Sequence, residues 1–228
     1  AVFYEQTGAL RDLVQSHLLQ LAALVLMDVP GEENNQDIPN LRLEALKKLK
    51  LASRDSGQLI RGQYEGYQKE VNNSGSPVET FVSLLLESSD DKWLDVPITL
   101  TTGKALDKKF TGIKIFYKNN GAEEVNQLTF SLQPDEGVEL KLFAKRPGYD
   151  YVVSQHPLKL EFQELYANLP EAYEQVLFNA FNSDHDLFTG SREVLETWRI
   201  INEIQNDWRM SDDDLIIYKP GSKIKEIF

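Results

Sequence analysis

The stretch ETFVSLLLES, residues 79–88, is apolar at odd and even positions alike and is bounded by polar segments. A short run of this kind is typical of a strand that is buried on both faces at the centre of a sheet. Four further runs alternate apolar and polar residues with a period of two, at 94–101, 128–133, 138–145 and 158–162. Together these runs predict an antiparallel or mixed sheet with one face covered.

The segments on either side of the strands favour helices. Residues 8–27, a shorter run from Asn40, and residues 170–183 and 191–208 carry apolar side chains at every third or fourth position. Helices that cluster at both ends of a chain, with strands between them, predict an α+β fold: a large, mostly antiparallel or mixed sheet backed by helices on one face. We find no linker long enough to separate two domains, so residues 1–228 are expected to form a single domain.

The charge of the chain excludes several classes of partner. Its 24 basic and 36 acidic side chains give a net charge of −12, which argues against a nucleic-acid or anionic-membrane surface. The longest apolar run, 18–27, is too short to span a bilayer, and the absence of cysteine predicts a cytoplasmic protein without disulfides. One exception is the lysine-rich segment 104–118, with five lysines and one aspartate. This segment is either a site for a small anion or a solvated edge that resists aggregation.

The chain has three histidines, His17, His156 and His185. No two of them have metal-ligand spacing, so no metal site is predicted, and His156 and His185 are interpreted as surface residues. The chain also contains neither a Gly-x-Gly-x-x-Gly turn nor a phosphate-binding P-loop, so we predict that it has no dinucleotide site of its own.

His17 falls on the apolar stripe of the first predicted helix, which runs through Leu10, Val14, Leu21 and Val25. Such a histidine is usually a core residue whose ring nitrogens are hydrogen-bonded to neighbours; the alternative is a catalytic role. Asp12 precedes His17 by five positions, which in an α-helix separates them by about 140° and roughly 7.5 Å. On that geometry Asp12 does not orient the imidazole.

The segment FYEQTGALRDLVQSHLLQL, 3–21, resembles glucose-6-phosphate dehydrogenases, whose pattern is Tyr-(Phe/Tyr)-Asp, then Arg-Asp, then Gln-Asn-His-Leu-Leu-Gln. The resemblance continues in order along essentially the whole chain, through RGQY at 61, WLDVPITLTTGKAL at 93, LQPDEGVELKLFAKRPG at 132 and YKPGS at 218. The family's amino-terminal half, a Rossmann domain, is absent. The chain therefore resembles the carboxy-terminal domain alone.

The family oxidises the C1 hydroxyl of glucose 6-phosphate and passes a hydride to NADP, or to NAD in some members, a reaction of the pentose phosphate pathway. The resemblance implies that His17 is the general base and that the aspartate that orients it lies in the absent half. It further implies that Asp12 accepts hydrogen bonds from the sugar, that Lys104 and Lys109 face the substrate, and that Gln133 contacts the sugar.

The resemblance also implies three partners: glucose 6-phosphate, the amino-terminal Rossmann domain, and a second copy of the chain paired through the sheet. NADP would be bound mainly by the Rossmann domain, so the chain alone is expected to be inactive. The second dinucleotide site of some members is not expected, because other residues stand where its binding groups would be: Thr101, Phe110, Ser131 and Glu139. The alternative is a non-catalytic oligomerisation or sugar-phosphate-binding domain derived from the family.

Overall fold

A computed structural model describes residues 2–31, 38–53, 59–118, 124–165, 172–184, 186, 188–210 and 215–227. It divides into two compact units, Ala1–Asp107 with Val176–Phe228, and Lys108–Gln175. The α+β class is confirmed, but the strands form two sheets, of five and four strands, instead of one large sheet. The cause is that the strand Thr111–Phe116, inside the lysine-rich segment, pairs with the strand that follows it in the chain and not with the strand that precedes it. The expectation of a single domain stays a prediction.

The helices are mostly those that the periodicity predicts. Helix α1 (Val2–Ala9) leads into a π-helix (Leu10–Leu18) and α2 (Leu19–Leu26), and α3 (Ile38–Lys47) follows. Short helices are α4 (Tyr67–Glu70), α5 (Phe162–Leu165) and two 3₁₀ turns, Asp91–Trp93 and Ile224–Glu226. Helices α6 (Ala172–Phe181) and α7 (Ser191–Met210) confirm the two helices predicted after the strands.

The five-stranded sheet is built around β3 (Phe81–Ser88), the strand predicted to be central. On one side β3 pairs with β4 (Ile98–Gly103), and on the other with β2 (Leu59–Tyr64) and β1 (Leu49–Leu51), all antiparallel. Strand β9 (Ile216–Tyr218) adds to β2 in parallel. It brings a segment from the far end of the sequence to the edge of the sheet.

Both faces of β3 are buried from Phe81 to Leu84, in agreement with its continuous apolar run, whereas Glu87 near its end is exposed. Val82, Leu84 and Leu86 lie in the main core with side chains from the helices, including Leu10, Val14, Leu19, Leu46, Ile200, Ile201 and Ile204. Phe81 belongs to a second cluster with Tyr218 and Ile227. The sheet is therefore backed by helices on one face and covered by the β9 region at one end of the other.

The second unit is an antiparallel meander of β5 (Thr111–Phe116), β6 (Gln127–Gln133), β7 (Gly137–Lys145) and β8 (Val153–Glu161), each paired with the next. Several apolar side chains of this sheet are exposed. On β8 these include Leu158, 60% exposed, and Leu160, 44% exposed.

Candidate functional site

Glu79, just before β3, holds the start of the π-helix. The amide of Leu10 donates to Glu79 Oε1 at 2.9 Å, and the amide of Ala9 donates to the Glu79 carbonyl at 3.0 Å. Gly8 makes this approach possible: its φ of 70° and ψ of 171° are essentially restricted to glycine, and a Cβ there would lie 2.3 Å from Glu79 Oε1. Burial raises the pKa of the Glu79 carboxyl.

The π-helix changes which side chains of this segment are buried. Leu10, Val14 and Leu19 are buried, so the apolar spacing is four and then five residues. Leu21 and Val25 are only half-buried, and His17 is exposed. The interpretation of His17 as a member of an apolar stripe is therefore wrong, because the wider turn of the π-helix rotates His17 towards the surface.

The π-helix also changes the relation between Asp12 and His17. In this helix type, backbone hydrogen bonds join residues five apart, so residue i+5 lies about one turn above residue i. Asp12 and His17 are consequently near neighbours on one side of the helix. The separation calculated for a regular α-helix therefore does not apply.

Two hydrogen bonds fix the polar part of the π-helix. Gln15 Nε2 donates to Thr197 Oγ1 of α7 at 2.8 Å, and Thr197 is completely buried. Ser16 Oγ donates to the Asp12 carbonyl. These contacts tie the helix to the core while leaving His17 at the surface.

Lys104 lies immediately after β4, and its Nζ is 4.5 Å from the centre of the Tyr4 ring, a cation–π contact. Tyr4 is 5% exposed, and its hydroxyl is buried without a hydrogen-bond partner in the part of the chain that the structure describes. Burial, and then the charges of Asp12 and Glu79, raise the pKa of Tyr4. Tyr4 therefore lies against Lys104 and within the electrostatic influence of Asp12. Sequence reasoning missed it; the one signal was its place in the pattern preceding Arg-Asp.

The other two predicted substrate residues belong to the second unit. Lys109 is exposed just before β5. Gln133 is exposed at the end of β6, where it lines a cavity of about 130 Å³. The structure thus groups Asp12, His17 and Lys104 in one unit and Lys109 with Gln133 in the other, and all five roles stay predictions.

The cavity at Gln133 does not fit a dinucleotide. Its lining includes four carboxylates and a single lysine, a balance that repels a pyrophosphate: Asp135, Glu136, Glu139, Glu161 and Lys159. Among the described residues, no group of three or more His, Asp or Glu side chains is placed to hold a metal ion. His156 is exposed on β8, as expected, and His185 lies outside the described residues. No described helix is long and apolar enough to cross a bilayer.

Comparisons with known proteins identify the chain. Residues 1–226 match the family described as "Glucose-6-phosphate dehydrogenase, C-terminal domain". The chain belongs to that family. Curated glucose-6-phosphate 1-dehydrogenases of Borreliella burgdorferi and Chlamydia trachomatis are 32% and 35% identical over 97% and 96% of this chain. The chain spans about half the length of these relatives, 50% and 55% respectively.

Solved structures share the fold of this glucose-6-phosphate dehydrogenase C-terminal domain. A glucose-6-phosphate dehydrogenase in complex with its substrate glucose 6-phosphate is 26% identical, with a TM-score of 0.88 over 99% of this chain and 50% of that one. A glucose-6-phosphate 1-dehydrogenase from Mycobacterium avium is 31% identical, with a TM-score of 0.79 over 96% of this chain and 48% of that one.

Proposed function

We propose that this chain supplies the general base and part of the sugar-phosphate site of a glucose-6-phosphate dehydrogenase, an oxidoreductase that converts glucose 6-phosphate to 6-phosphogluconolactone. The observation that carries the proposal is the likeness, over 99% of the chain, to a glucose-6-phosphate dehydrogenase in complex with glucose 6-phosphate. The placement of Asp12, His17 and Lys104 in one unit supports it.

The chemistry assigns a distinct role to each residue. As a hydride leaves C1, the proton of the C1 hydroxyl must leave as well, and an imidazole is suited to accept it near neutral pH. His17 is exposed on the π-helix and takes this role. Asp12, one turn away, accepts a hydrogen bond from another sugar hydroxyl.

The remaining contacts recognise the rest of the substrate. Lys104 and Lys109 face the sugar phosphate and supply positive charge within an acidic chain, which favours the approach of an anion. The Gln133 side-chain amide, exposed at the end of β6, contacts a sugar hydroxyl. A lysine at position 109 binds as a point charge and without the bidentate geometry of arginine.

The hydride acceptor comes from outside this chain, because the described residues do not offer a dinucleotide site. We propose that an amino-terminal Rossmann domain binds NADP and that the enzyme acts in the cytoplasm. Without that domain the reactive carbon of the acceptor is not held against C1, so the chain alone is inactive.

The test is to join the chain in frame to the amino-terminal half of the Borreliella burgdorferi relative and to measure NADPH formation by absorbance. His17→Asn should lower kcat about a hundredfold to ten-thousandfold, with KM nearly unchanged, because it removes a general base and little ground-state binding. The matched control, His156→Asn, should leave kcat unchanged. Near-normal turnover of the His17 variant would remove it from the base role. Turnover by the isolated 228-residue chain would contradict its inactivity.

We also propose that the chain forms a homodimer through its sheet. The exposed apolar side chains of β8, Leu158 and Leu160, support this proposal because such a surface is stabilised when a second copy covers it. Analytical ultracentrifugation at tens of micromolar should show a dimer, and a Leu158→Lys variant should shift it to monomer. A wild-type monomer at that concentration would refute the proposal.

A further inference from the structure

The turn that carries Lys104 has an unfavourable backbone conformation. Ala105 has a φ of 53°, in the left-handed region that residues with a Cβ rarely adopt. Such a conformation persists when surrounding contacts hold it in place. The Lys104 amide donates to the Thr80 carbonyl at 2.9 Å, which fixes where the turn leaves β4. The remaining contacts come from a distant segment.

Residues 218–222, which begin with the last residue of β9, hold this turn. The amide of Gly221 donates to the Ala105 carbonyl at 2.7 Å, and the amide of Asp107 donates to the Ser222 carbonyl at 3.1 Å. The sequence Lys219-Pro-Gly-Ser forms a tight turn closed by the Ser222 amide and the Lys219 carbonyl. Its glycine has a φ of 85°, the conformation that a type II turn requires at that position.

Tyr218 supplies the contact nearest to the substrate lysine. It is 4% exposed, and its hydroxyl donates to the Lys104 carbonyl at 2.7 Å. The same hydroxyl lies 3.0 Å from Thr80 Oγ1, and the ring packs edge to face against Phe81. Tyr218 thus joins the Lys104 backbone to the rigid end of β3.

We propose that Tyr218 is a positioning residue for the substrate site: by holding the Lys104 carbonyl it keeps the Lys104 ammonium over the Tyr4 ring, where it binds the sugar phosphate. This inference rests on the proposed function, because that function makes Lys104 a substrate contact. Tyr218 itself does not touch the substrate. Its effect on binding passes entirely through Lys104.

The test uses Tyr218→Phe, which keeps the ring packing and removes only the hydroxyl. Glucose 6-phosphate is titrated into the 228-residue chain by NMR, and the variant should bind about threefold to tenfold more weakly, the effect expected for losing one hydrogen bond. The ε-protons of Lys104 are shielded by the Tyr4 ring in the wild type, and this upfield shift should be lost. Tyr64→Phe is the matched control, because its ring packs against Tyr218 in the same cluster and its hydroxyl bonds Glu70 at 2.6 Å instead of the Lys104 carbonyl. It should change neither result.

A double-variant cycle separates positioning from a general loss of structure. In a Lys104→Met background, Tyr218→Phe should weaken binding no further, because the group through which it acts is gone. An equal loss in both backgrounds would overturn the proposal, as would Tyr218→Phe that binds normally and keeps the upfield shift.

Two further measurements distinguish a wrong role for Tyr218 from a wild type that does not bind the substrate and from a variant that does not fold. If the wild type does not bind glucose 6-phosphate, the part of the sugar-phosphate site in this chain does not bind without the amino-terminal half, and the Lys104 shift alone still decides whether Tyr218 positions the lysine. If Tyr218→Phe does not fold, Gly221→Ala strains the same turn at its exposed tip, and a Cβ there meets no atom within 4 Å. Loss of the Lys104 shift in that variant supports the proposal, and an unchanged shift overturns it.

Discussion

Replacing Gly8 by alanine should destabilise the chain strongly, although the side chain added is a single methyl group. The φ and ψ of Gly8, 70° and 171°, are unfavourable for alanine, and the new Cβ would lie 2.3 Å from Glu79 Oε1. Moving the carboxylate away breaks its hydrogen bond from the Leu10 amide. The backbone cost and the lost bond together amount to about 3–5 kcal/mol in the free energy of unfolding.

Urea denaturation, followed by fluorescence of the three tryptophans, measures this difference by linear extrapolation. In a Glu79→Ala background the collision is absent, so Gly8→Ala should cost only the backbone contribution, about 1–3 kcal/mol. The matched control is Gly75→Ala, since that glycine has no positive φ and its nearest contact is 4.0 Å away. A Gly8→Ala variant within about 0.5 kcal/mol of the wild type would refute this prediction, because changes of that size are typical of substitutions at neutral surface sites.

Three further predictions concern buried or hydrogen-bonded charges. Arg42→Met should lower the free energy of unfolding by about 3–5 kcal/mol in the same assay, because the buried Glu193 carboxylate loses its counter-ion. In the wild type this carboxylate lies 2.8 Å from Arg42 Nε. A loss below about 1 kcal/mol would contradict the prediction. Burial raises the pKa of Glu79 above its ordinary 4.5, so its stabilising contribution is complete below that pH and lost as the pH rises through the raised pKa. Glu79→Gln, permanently neutral, should therefore gain stability relative to the wild type as the pH rises above 4.5, and a constant difference would oppose the assignment. The pKa of Glu5 is shifted in the opposite direction. Burial opposes ionisation, but hydrogen bonds from Tyr67 and two loop residues lower the pKa below 4.5. The stability of the wild type relative to Glu5→Gln should therefore decrease as the pH falls below 4.5 and through the lowered pKa.

Most of the regular structure follows from local pattern. The apolar run at 79–88 predicts a central strand. The first half of β3 is buried on both faces, because helices cover one face and the Tyr218 cluster covers that end of the other face. Helix α7 follows its apolar period from Ser191 onward. The three-residue strands β1 and β9 were not predicted, since segments this short carry no measurable period and form only because a partner strand is present.

The π-helix could not be predicted from the sequence, and the candidate site depends on it. The segment from Leu10 to Leu26 has apolar residues at enough positions to satisfy several helical phases. The choice among them is made by Glu79, 69 residues away from Leu10, and by the backbone of Gly8. The exposure of His17 therefore depends on a tertiary contact, which the local sequence pattern does not predict. The family resemblance indicates His17 as a candidate base, which stays a prediction, while the α-helical geometry misplaced the residue.

The hydrogen bond between Tyr218 and Lys104 also has a consequence for how the protein is made. The two residues are 114 positions apart, so at about 5–20 residues per second the lysine is synthesised on the order of ten seconds before the tyrosine that holds it. During that interval the edge of β2 that will pair with β9 is open, and an open strand edge invites pairing with other chains. A growing chain is thus expected to expose this strand edge early and to acquire the geometry of the Lys104 turn late, when the segment around residue 218 has been synthesised.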